Sequence, residues 1–294
     1  QQYRIVGKHS AVKICYWTKQ SLVASRVCYK ELWHPPVESH RCMQMTPYLG
    51  CNFHCVHCWR LHASDRPGVS WQEFPPPIKE WDEPGVIIDG CIEKRKELLS
   101  GFGGNPNVDK KKLEEALKPT MMTASLTGEP TYYPLLSDMV EEAKKRGMIM
   151  FLVTNGSLPE ALEKMDNLPW QLYVSIYGPD KETFIKVARP MISDAWERVN
   201  KTLELLPSLE TRKVFRILTI KGWNMHNPKG YAELIKKSQP TFIEVKAYEW
   251  VGESQRRLPK EAMPFMEDVV EFAKKIASET GYELVDQFEP SGVV

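Results

Sequence analysis

The chain has 294 residues, of which 42% are hydrophobic and 26% are charged, and its formal net charge is +1. This length suits one large α/β domain with an appendage or two small domains, and the composition is that of an ordinary globular protein. The near-neutral charge excludes a protein that is basic over its whole surface, so any nucleic-acid-binding face must be local.

The sequence contains seven cysteines but no sign of secretion or membrane insertion. No apolar run is long enough to span a bilayer, and residues 1–12 include no hydrophobic signal region. Cysteines in such a chain favour metal binding or catalysis over a disulfide framework, which would need an oxidising compartment. We therefore expect a cytoplasmic protein without membrane contact.

The first forty-odd residues contain three cysteines at nearly even intervals, namely Cys15, Cys28 and Cys42. Residues 11–16 are short and apolar, and residues 21–31 are predicted to be a helix. A single cysteine is most often a buried and unreactive residue. Three at even spacing, directly upstream of a second cysteine group, instead favour a shared metal site.

The second group lies in the polar loop Cys-Asn-Phe-His-Cys-Val-His-Cys, which follows an apolar run and a turn glycine. Its thiols, on Cys51, Cys55 and Cys58, can meet on one small metal body if the loop curls back on itself. An iron–sulfur cluster is normally held by four thiolates, so three leave one iron open for chemistry. Two alternatives remain: a structural zinc with His54 or His57 as fourth ligand, and a disulfide framework.

Downstream of this loop, predicted strands and helices alternate along the chain. This order implies a parallel sheet with right-handed crossovers, and six units are too few to close an eight-stranded barrel. We therefore predict an α/β fold with a partial open (β/α)6 barrel over residues 43–250. An N-terminal extension, residues 1–42, carries the cysteine triplet, and a C-terminal helix and strand, residues 251–294, complete the chain. The predicted strands are 43–49, 120–126, 149–153, Gln171–Ile176, 213–220 and Phe242–Ala247, with 282–286 as the final strand. The predicted helices are 88–100 with 109–117, then 135–146, 159–165, 194–206, 229–237 and 262–280.

Two stretches interrupt the alternation. Residues 64–85 are rich in proline and are predicted to form an extended surface insertion. Residues 101–106, Gly-Phe-Gly-Gly-Asn-Pro, lack the Lys-Ser/Thr of a phosphate-binding loop and do not join a strand to a helix, so we interpret them as a turn. Neither stretch indicates a cofactor.

Polar residues stand at the carboxyl ends of the predicted strands, where ligands gather in α/β folds. Gly128, Glu129 and Pro130 follow the second strand; glycine permits close approach of the backbone to a ligand, and the carboxylate can accept hydrogen bonds from an ammonium group. A simple strand–helix turn is the alternative. Asn155 follows the third strand in a sequence that also suits a tight turn. Ser175, near the end of the fourth strand, could bond ribose hydroxyls.

The loop with Cys51, Cys55 and Cys58 resembles the signature of radical S-adenosylmethionine (SAM) enzymes. The resemblance implies a partial (β/α)6 barrel in which the open iron of a [4Fe–4S] cluster chelates SAM, and an electron splits SAM to a radical. It also implies that the Gly-Glu-Pro run at 128–130 holds the SAM amino group. One departure is His57, which stands where an aromatic residue usually precedes the last cysteine; this should alter packing on adenine but not ligation.

Beyond these motifs, nearly the whole chain resembles the 4-demethylwyosine synthases, archaeal radical SAM enzymes of tRNA wybutosine biosynthesis. The resemblance rests on Cys15, Cys28 and Cys42, on Cys-Trp-Arg at 58–60, and on the segments 218–225 and 243–248. It implies two [4Fe–4S] clusters, the second held by the N-terminal triplet. It also implies a lyase that forms a carbon–carbon bond, joining two carbons of pyruvate to N1-methylguanosine 3′ of the anticodon with loss of the carboxylate. The sequence lacks the flavodoxin-like domain of eukaryotic members, so an external electron donor is expected, and the protein is expected to be a monomer.

The reaction implied by this resemblance needs an activated pyruvate carbonyl, which a lysine Schiff base can supply. Lys30, two residues from Cys28, is the best-placed candidate, although most lysines are simply solvated. The tRNA must also present its methylguanine turned out of the anticodon stack. Candidate phosphate contacts are the basic runs 94–96 and 110–112 and the pair Arg256 and Arg257, and candidate stacking residues are Trp59, Trp71 and Trp81.

Two other functions remain open on the sequence alone. A glycyl-radical activating enzyme, or another small radical SAM enzyme that acts on a protein, would give Cys15, Cys28 and Cys42 a different purpose. A non-enzymatic module that carries zinc or a cluster and binds RNA would not cleave SAM. The sequence assigns no role to Cys91.

Overall fold

A computed structural model describes residues 3–62, 65 and 78–294, and the chain divides into two compact units. The first comprises Gln1–Leu49, Pro77–Val153 and Lys164–Leu172, and the second comprises Gly50–Pro76, Thr154–Glu163 and Tyr173–Val294. The predicted division at residues 42 and 250 stays a prediction. Among the described residues, no helix combines the length and apolar character that crossing a bilayer requires.

The first unit begins with an antiparallel hairpin and continues with parallel strands in chain order. Residues Arg4 and Val12 are paired in the hairpin, and Met43 and Met122 are paired in the first parallel ladder. Every residue of the fourth strand is buried, as expected of a strand inside a parallel sheet. The strands are β1 (Arg4–Val6), β2 (Ser10–Lys13), β3 (Cys42–Thr46), β4 (Met121–Ala124) and β5 (Ile149–Thr154), whose last residue belongs to the second unit. The helices are α1 (Tyr16–Val23), α2 (Tyr29–Trp33), α3 (Pro84–Ser100), α4 (Lys110–Ala116) and α5 (Leu136–Lys145).

The second unit continues the alternation of strands and helices. Its last two strands pair in parallel from Val214 with Phe242 to Thr219 with Ala247. Asp180 begins one of its helices as an N-cap, accepting a hydrogen bond from Thr183 N at 2.8 Å. The strands are β6 (Gln171–Ile176), whose first two residues belong to the first unit, β7 (Arg212–Thr219) and β8 (Phe242–Ala247). The helices are α6 (Pro159–Glu163), α7 (Lys181–Ala188), α8 (Ala195–Leu205), α9 (Pro228–Ser238) and α10 (Met266–Thr280).

The structure confirms the six strands predicted for the alternation, and it pairs β3 with β4, β4 with β5, and β7 with β8 in parallel. The predicted turn at 101–106 is also confirmed. Most of the proline-rich stretch 64–85, with Trp71, lies outside the described residues, and its last two residues, Pro84 and Gly85, begin α3.

Three local predictions were wrong or incomplete. Residues 21–31 do not form one helix: α1 ends at Val23, Ser25 has a positive φ of 52°, and a new helix starts after Cys28. The hairpin β1–β2 and helix α7 were not predicted. Residues 282–286 form no strand, because the last residues of the chain bond to β8 instead, through Val245 N to Val294 O at 3.0 Å and Ala247 N to Gly292 O at 2.7 Å.

Candidate metal centres

In the second unit, the backbone of the cysteine loop, residues 51–58, is fixed by its neighbours rather than by its sulfurs. Val56 N–H donates to Val187 O at 2.9 Å, and Met191 N–H donates to Asn52 O at 2.9 Å. Val56 is fully buried in an apolar cluster that also contains Ile220, Tyr248, Leu258 and Ala262. Ile220, directly after β7, and Tyr248, directly after β8, thus belong to the core that packs against the loop.

The thiols of Cys51, Cys55 and Cys58 lie close enough to influence one another. Burial raises the pKa of Cys55 well above its usual value, and the neighbouring Cys51 and Cys58 raise it further. Burial also raises the pKa of Cys58, although a hydrogen bond from Arg60 N–H opposes this. Thiols in such surroundings ionise when a cation compensates their charge, as metal ligation does. The donor set therefore fits an iron–sulfur cluster.

A structural zinc in this loop would need His54 or His57 as its fourth ligand beside the three thiolates. The ring of His57 packs against Tyr177 at 5.0 Å, and burial lowers the pKa of this imidazole to about 3.

A buried arginine from a distant part of the chain holds the loop in shape. Arg257 donates from Nε to Val56 O at 3.1 Å and from a terminal nitrogen to Cys58 O and, at 3.1 Å, to Arg60 O. Its other terminal nitrogen pairs with Asp65, and both side chains are nearly inaccessible. The prediction that Arg257 contacts RNA phosphate is therefore wrong, because its donors are used within the protein. Arg256, by contrast, is half exposed and pairs with Glu253.

Asn155 takes part in a buried amide network at the start of the loop. Its Nδ2 donates to Asn52 Oδ1 at 3.0 Å and lies 3.9 Å from Cys51 Sγ, and its Oδ1 accepts from Ser157 N at 2.9 Å. Asn52 in turn donates to Ser157 Oγ at 2.9 Å. The network positions the first cysteine, and no sequence motif announced Asn52 or Ser157. Ser175 lies in β6, and its role in SAM binding stays a prediction.

In the first unit, Gly128, Glu129 and Pro130 form the turn after β4. Gly128 has a positive φ of 73°, which glycine adopts without strain. Glu129 is buried, and its Oε1 accepts from Thr131 N at 3.2 Å and from Thr131 Oγ1 at 2.6 Å. Pro130 starts the short 3₁₀ helix Pro130–Tyr132. The turn interpretation is confirmed, and the SAM contact remains a prediction.

The N-terminal cysteines also lie in the first unit, and the structure brings two of their sulfurs together. Cys15 is the N-cap of α1, and its Sγ accepts from Thr18 N at 3.3 Å. A hydrogen bond from Cys42 lowers the pKa of Cys15 to about 6, and the same bond with burial raises the pKa of Cys42. Thr123 Oγ1 lies 3.6 Å from Cys42 Sγ. The pair fits a metal site, because polar donors already surround the sulfurs.

Ser39 bonds to the main chain of Cys28 and of Cys42, and Thr18 links it to the sulfur of Cys15. Its hydroxyl accepts from Cys28 N at 2.8 Å, and its carbonyl accepts from Thr18 Oγ1 at 2.8 Å and from the N–H of Cys42. Its own N–H donates to Glu31 at 2.6 Å. Cys28 is thereby placed through its main chain, and sequence spacing gave no signal for this serine.

Lys30 lies in the first turn of α2, beside the N-terminal cysteines. Its ammonium lies 4.7 Å from the ring centroid of Phe151, and its charge acts to lower the pKa of Cys42. The side chain is half-buried. Lys30 is thus near Cys42, one of the N-terminal cysteines, as its spacing from Cys28 predicted.

Two residues noted in the sequence, the candidate phosphate contact Arg95 and the unassigned Cys91, are buried within the first unit. Arg95, predicted as a phosphate contact, is 1% exposed, so that prediction is wrong. Cys91 is fully buried, and burial raises its pKa to about 12, as in an unreactive core thiol. Trp81 packs against the rings of His9, Tyr48 and Tyr133.

Two protein-family models match the chain. Residues 118–235 match the radical SAM superfamily, and residues 237–294 match the family described as wyosine base formation. The chain is 48% identical to the S-adenosyl-L-methionine-dependent tRNA 4-demethylwyosine synthase of Pyrococcus horikoshii, over 100% of this chain and 85% of that protein. It is 38% identical to the synthase of the same name from Oryza sativa subsp. japonica, over 96% of this chain and 42% of that protein.

Two solved structures resemble the whole chain. The structure of TYW1 with a lysine–pyruvate adduct bound superposes with a TM-score of 0.87 at 32% identity, covering 100% of this chain and 91% of the other. The crystal structure of archaeal TYW1 gives a TM-score of 0.79 at 29% identity, with the same coverage. Together with the parallel strands, these likenesses confirm the predicted α/β fold, a partial open (β/α)6 barrel.

Proposed function

Because the chain belongs to the family of S-adenosyl-L-methionine-dependent tRNA 4-demethylwyosine synthases, we propose that it condenses N1-methylguanosine in tRNA with pyruvate. As a member, it is a radical SAM enzyme that modifies tRNA and uses SAM and a [4Fe–4S] cluster. The proposed product is tricyclic 4-demethylwyosine, formed 3′ of the anticodon. Formation of the carbon–carbon bond with loss of the pyruvate carboxylate would make the enzyme a lyase.

The observation that carries the proposal is the presence of two separate cysteine triplets, each within its own unit. We assign Cys51, Cys55 and Cys58 to the cluster that binds SAM. When bound, that cluster and SAM supply the carbon radical that abstracts hydrogen from the N-methyl group. The chain's part is to hold the loop rigid: Arg257 binds its carbonyls, and Asn155 lies beside Cys51.

Five residues at strand ends are proposed to bind SAM. The carboxylate of Glu129, preceded by Gly128 and followed by Pro130, is buried and already accepts hydrogen bonds, as recognition of an ammonium group requires. Asn155 and Ser175 complete the proposed set. The amide of Asn155 also bonds to Asn52, so we assign it a positioning role in addition.

We assign Cys15, Cys28 and Cys42 to a second [4Fe–4S] cluster that holds pyruvate. Three thiolates leave one iron open for a substrate. The shared hydrogen bond of Cys15 and Cys42 and the common anchor Ser39 support this assignment.

Lys30 is the proposed residue that activates pyruvate. Its neutral amine adds to the keto carbon and releases water, and the resulting iminium accepts a carbon radical more readily than a ketone does. The position of Lys30 beside Cys42, a proposed ligand of the second cluster, supports this role. So does the lysine–pyruvate adduct named for the related TYW1 structure.

The decisive experiment is incubation of the reconstituted protein with SAM, reductant, pyruvate and tRNA that carries N1-methylguanosine. We expect a tricyclic nucleoside by mass spectrometry, with two carbons of labelled pyruvate retained. Omission of pyruvate should abolish the product but allow SAM cleavage. Product that carries no pyruvate carbon would reject the proposal. We further propose a cytoplasmic monomer that takes electrons from an external donor.

A further inference from the structure

Arg95 is a fully buried arginine in the middle of α3. It is 1% exposed and is among the largest fully buried side chains of the described residues. One terminal nitrogen donates to His40 O at 2.6 Å, and the other donates to Ala116 O. Its Nε is buried and has no hydrogen-bond partner among the described residues. The guanidinium is thus anchored at one end and keeps one N–H unused.

The charge of Arg95 lacks a carboxylate partner in the described part of the chain. A buried unpaired cation is costly, and arginine does not escape the cost by losing its proton. Burial lowers its pKa to about 10, while the thiols of Cys42 and Cys15 act in the opposite direction. Arg95 is thus bonded to His40, two residues before Cys42, and the cysteines that act on it, Cys42 and Cys15, are two proposed ligands of the second cluster.

A four-iron cluster on three thiolates would supply the missing negative charge. Three thiolates outweigh the positive charge of the oxidised core, so the assembly is an anion. Binding of pyruvate, itself an anion, adds further negative charge. An N–H donor and a fixed cation beside cluster sulfur favour the reduced, more negative state and slow the loss of ligands.

We propose that Arg95 is the buried counter-cation of the second cluster, a positioning residue that raises the reduction potential of the cluster and retains its iron. The carbonyls of His40 and Ala116 hold the guanidinium in place, and Nε–H remains for the cluster. This inference rests on the proposed second cluster. It adds a residue that does not ligate iron.

The test uses the full chain with Cys51, Cys55 and Cys58 changed to Ala, so that only the second cluster remains. About four irons per chain are expected in this background. Arg95→Gln removes the charge but keeps amide donors for the carbonyls, whereas Arg95→Lys keeps the charge. Lys94→Gln, on the same helix, is the control, because Lys94 is partly exposed and pairs with Glu97. The readouts are the midpoint potential from an EPR-monitored titration and the rate of iron release to a chelator.

We expect Arg95→Gln to lower the equilibrium constant for reduction at least tenfold, about 59 mV for a one-electron couple. Iron release should be at least fivefold faster. Arg95→Lys should change the equilibrium constant for reduction and the rate of iron release by less than threefold relative to the Cys51, Cys55 and Cys58 to Ala protein. Lys94→Gln should give the same values as that protein. An unchanged potential in Arg95→Gln, or equal impairment of the Gln and Lys variants, would overturn the proposal. A background protein without iron would reject the second cluster itself, and the role of Arg95 with it.

Discussion

At the scale of single residues, two lysines lie near the N-terminal cysteines, and their surroundings differ. Lys30 lies over the ring of Phe151, and its charge acts on Cys42. Lys13 is partly buried in β2, and burial lowers its pKa, with Lys19 acting in the same direction and Cys15 in the other. Each lysine lies near a proposed ligand of the second cluster, so each must be tested as the residue that captures pyruvate. The position in the first turn of α2, two residues after Cys28, favours Lys30.

Lys30→Arg should abolish covalent capture of pyruvate. Arginine keeps the positive charge but cannot form an imine, so borohydride with labelled pyruvate should leave no adduct. Product formation should fall at least about 100-fold, the lower end of what a positioned catalytic group contributes. Peptide mass spectrometry locates the adduct, and iron analysis checks that cluster content is unchanged. Lys13→Arg is the matched control and should retain the adduct; capture on Lys13, or full turnover by Lys30→Arg, would contradict the assignment.

At the scale of elements, the 3₁₀ segment Gly252–Arg256 and the following Arg257 act as a clamp on the cysteine loop. Arg257 binds the carbonyls of Val56 and Cys58 in the loop and of Arg60 just after it, and Glu253 N donates to Trp59 O at 3.0 Å. Gly252 has a positive φ of 60°, and a Cβ there would lie 2.5 Å from Trp59 O. The loop conformation is therefore imposed by a segment far along the chain.

Arg257→Met should destabilise the protein and loosen the first cluster. Removing one partner of a buried ion pair leaves Asp65 uncompensated, at a cost of about 3 to 5 kcal/mol. Urea denaturation measures the change, and iron analysis measures cluster occupancy. Arg256→Met is the matched control: this half-exposed neighbour should change stability by less than about 0.5 kcal/mol. Equal effects of the two substitutions would show that the clamp does not exist.

Gly252→Ala should cost more than Gly281→Ala. Both glycines have positive φ, so both alanines carry the backbone strain of about 1 to 2 kcal/mol. Gly281 has no atom within 4 Å of an added Cβ, whereas at Gly252 a backbone carbonyl would have to move. Thermal denaturation should show the larger loss for Gly252→Ala, accompanied by faster iron release from the first cluster. A smaller loss at Gly252 than at Gly281 would contradict the close packing against Trp59.

At the scale of the whole molecule, the two cysteine triplets belong to different compact units. Each triplet has its own anchors: Ser39 in the first unit, and Arg257 with Asn52 in the second. Because the ligands and their supports are not shared, each cluster should assemble independently. This arrangement permits a division of labour between radical formation and substrate binding.

Single cysteine substitutions should separate the two tasks. Cys55→Ala should abolish SAM cleavage, because the first cluster is lost, while about four irons per chain remain. Cys28→Ala should likewise keep about four irons. It should form no tricyclic product but continue to cleave SAM. Iron analysis and chromatography of deoxyadenosine make the comparison. Loss of all iron from either variant would show that assembly is linked, and unchanged product from Cys28→Ala would reject a pyruvate-binding cluster.

The sequence by itself determined the alternation of strands and helices and the two cysteine groups. Both are local properties: hydrophobic periodicity sets the element type, and short spacing within one loop brings Cys51, Cys55 and Cys58 together. The family also followed from several short motifs, each of them local although they are spread along the chain. Lys30 was likewise proposed from its distance to Cys28 along the sequence.

The tertiary structure alone decided which polar residues hold these groups in place. Arg257 and Val56, for example, form a hydrogen bond across 201 residues of chain. Arg95 and Arg257 are charged and were predicted to contact RNA, but burial with carbonyl partners gave them internal roles. Spacing along the chain carries no record of such contacts, since a buried donor takes whichever acceptor packing brings to it. The same reason explains why Ser39 was not predicted, and why residues 292–294, not 282–286, bond to β8.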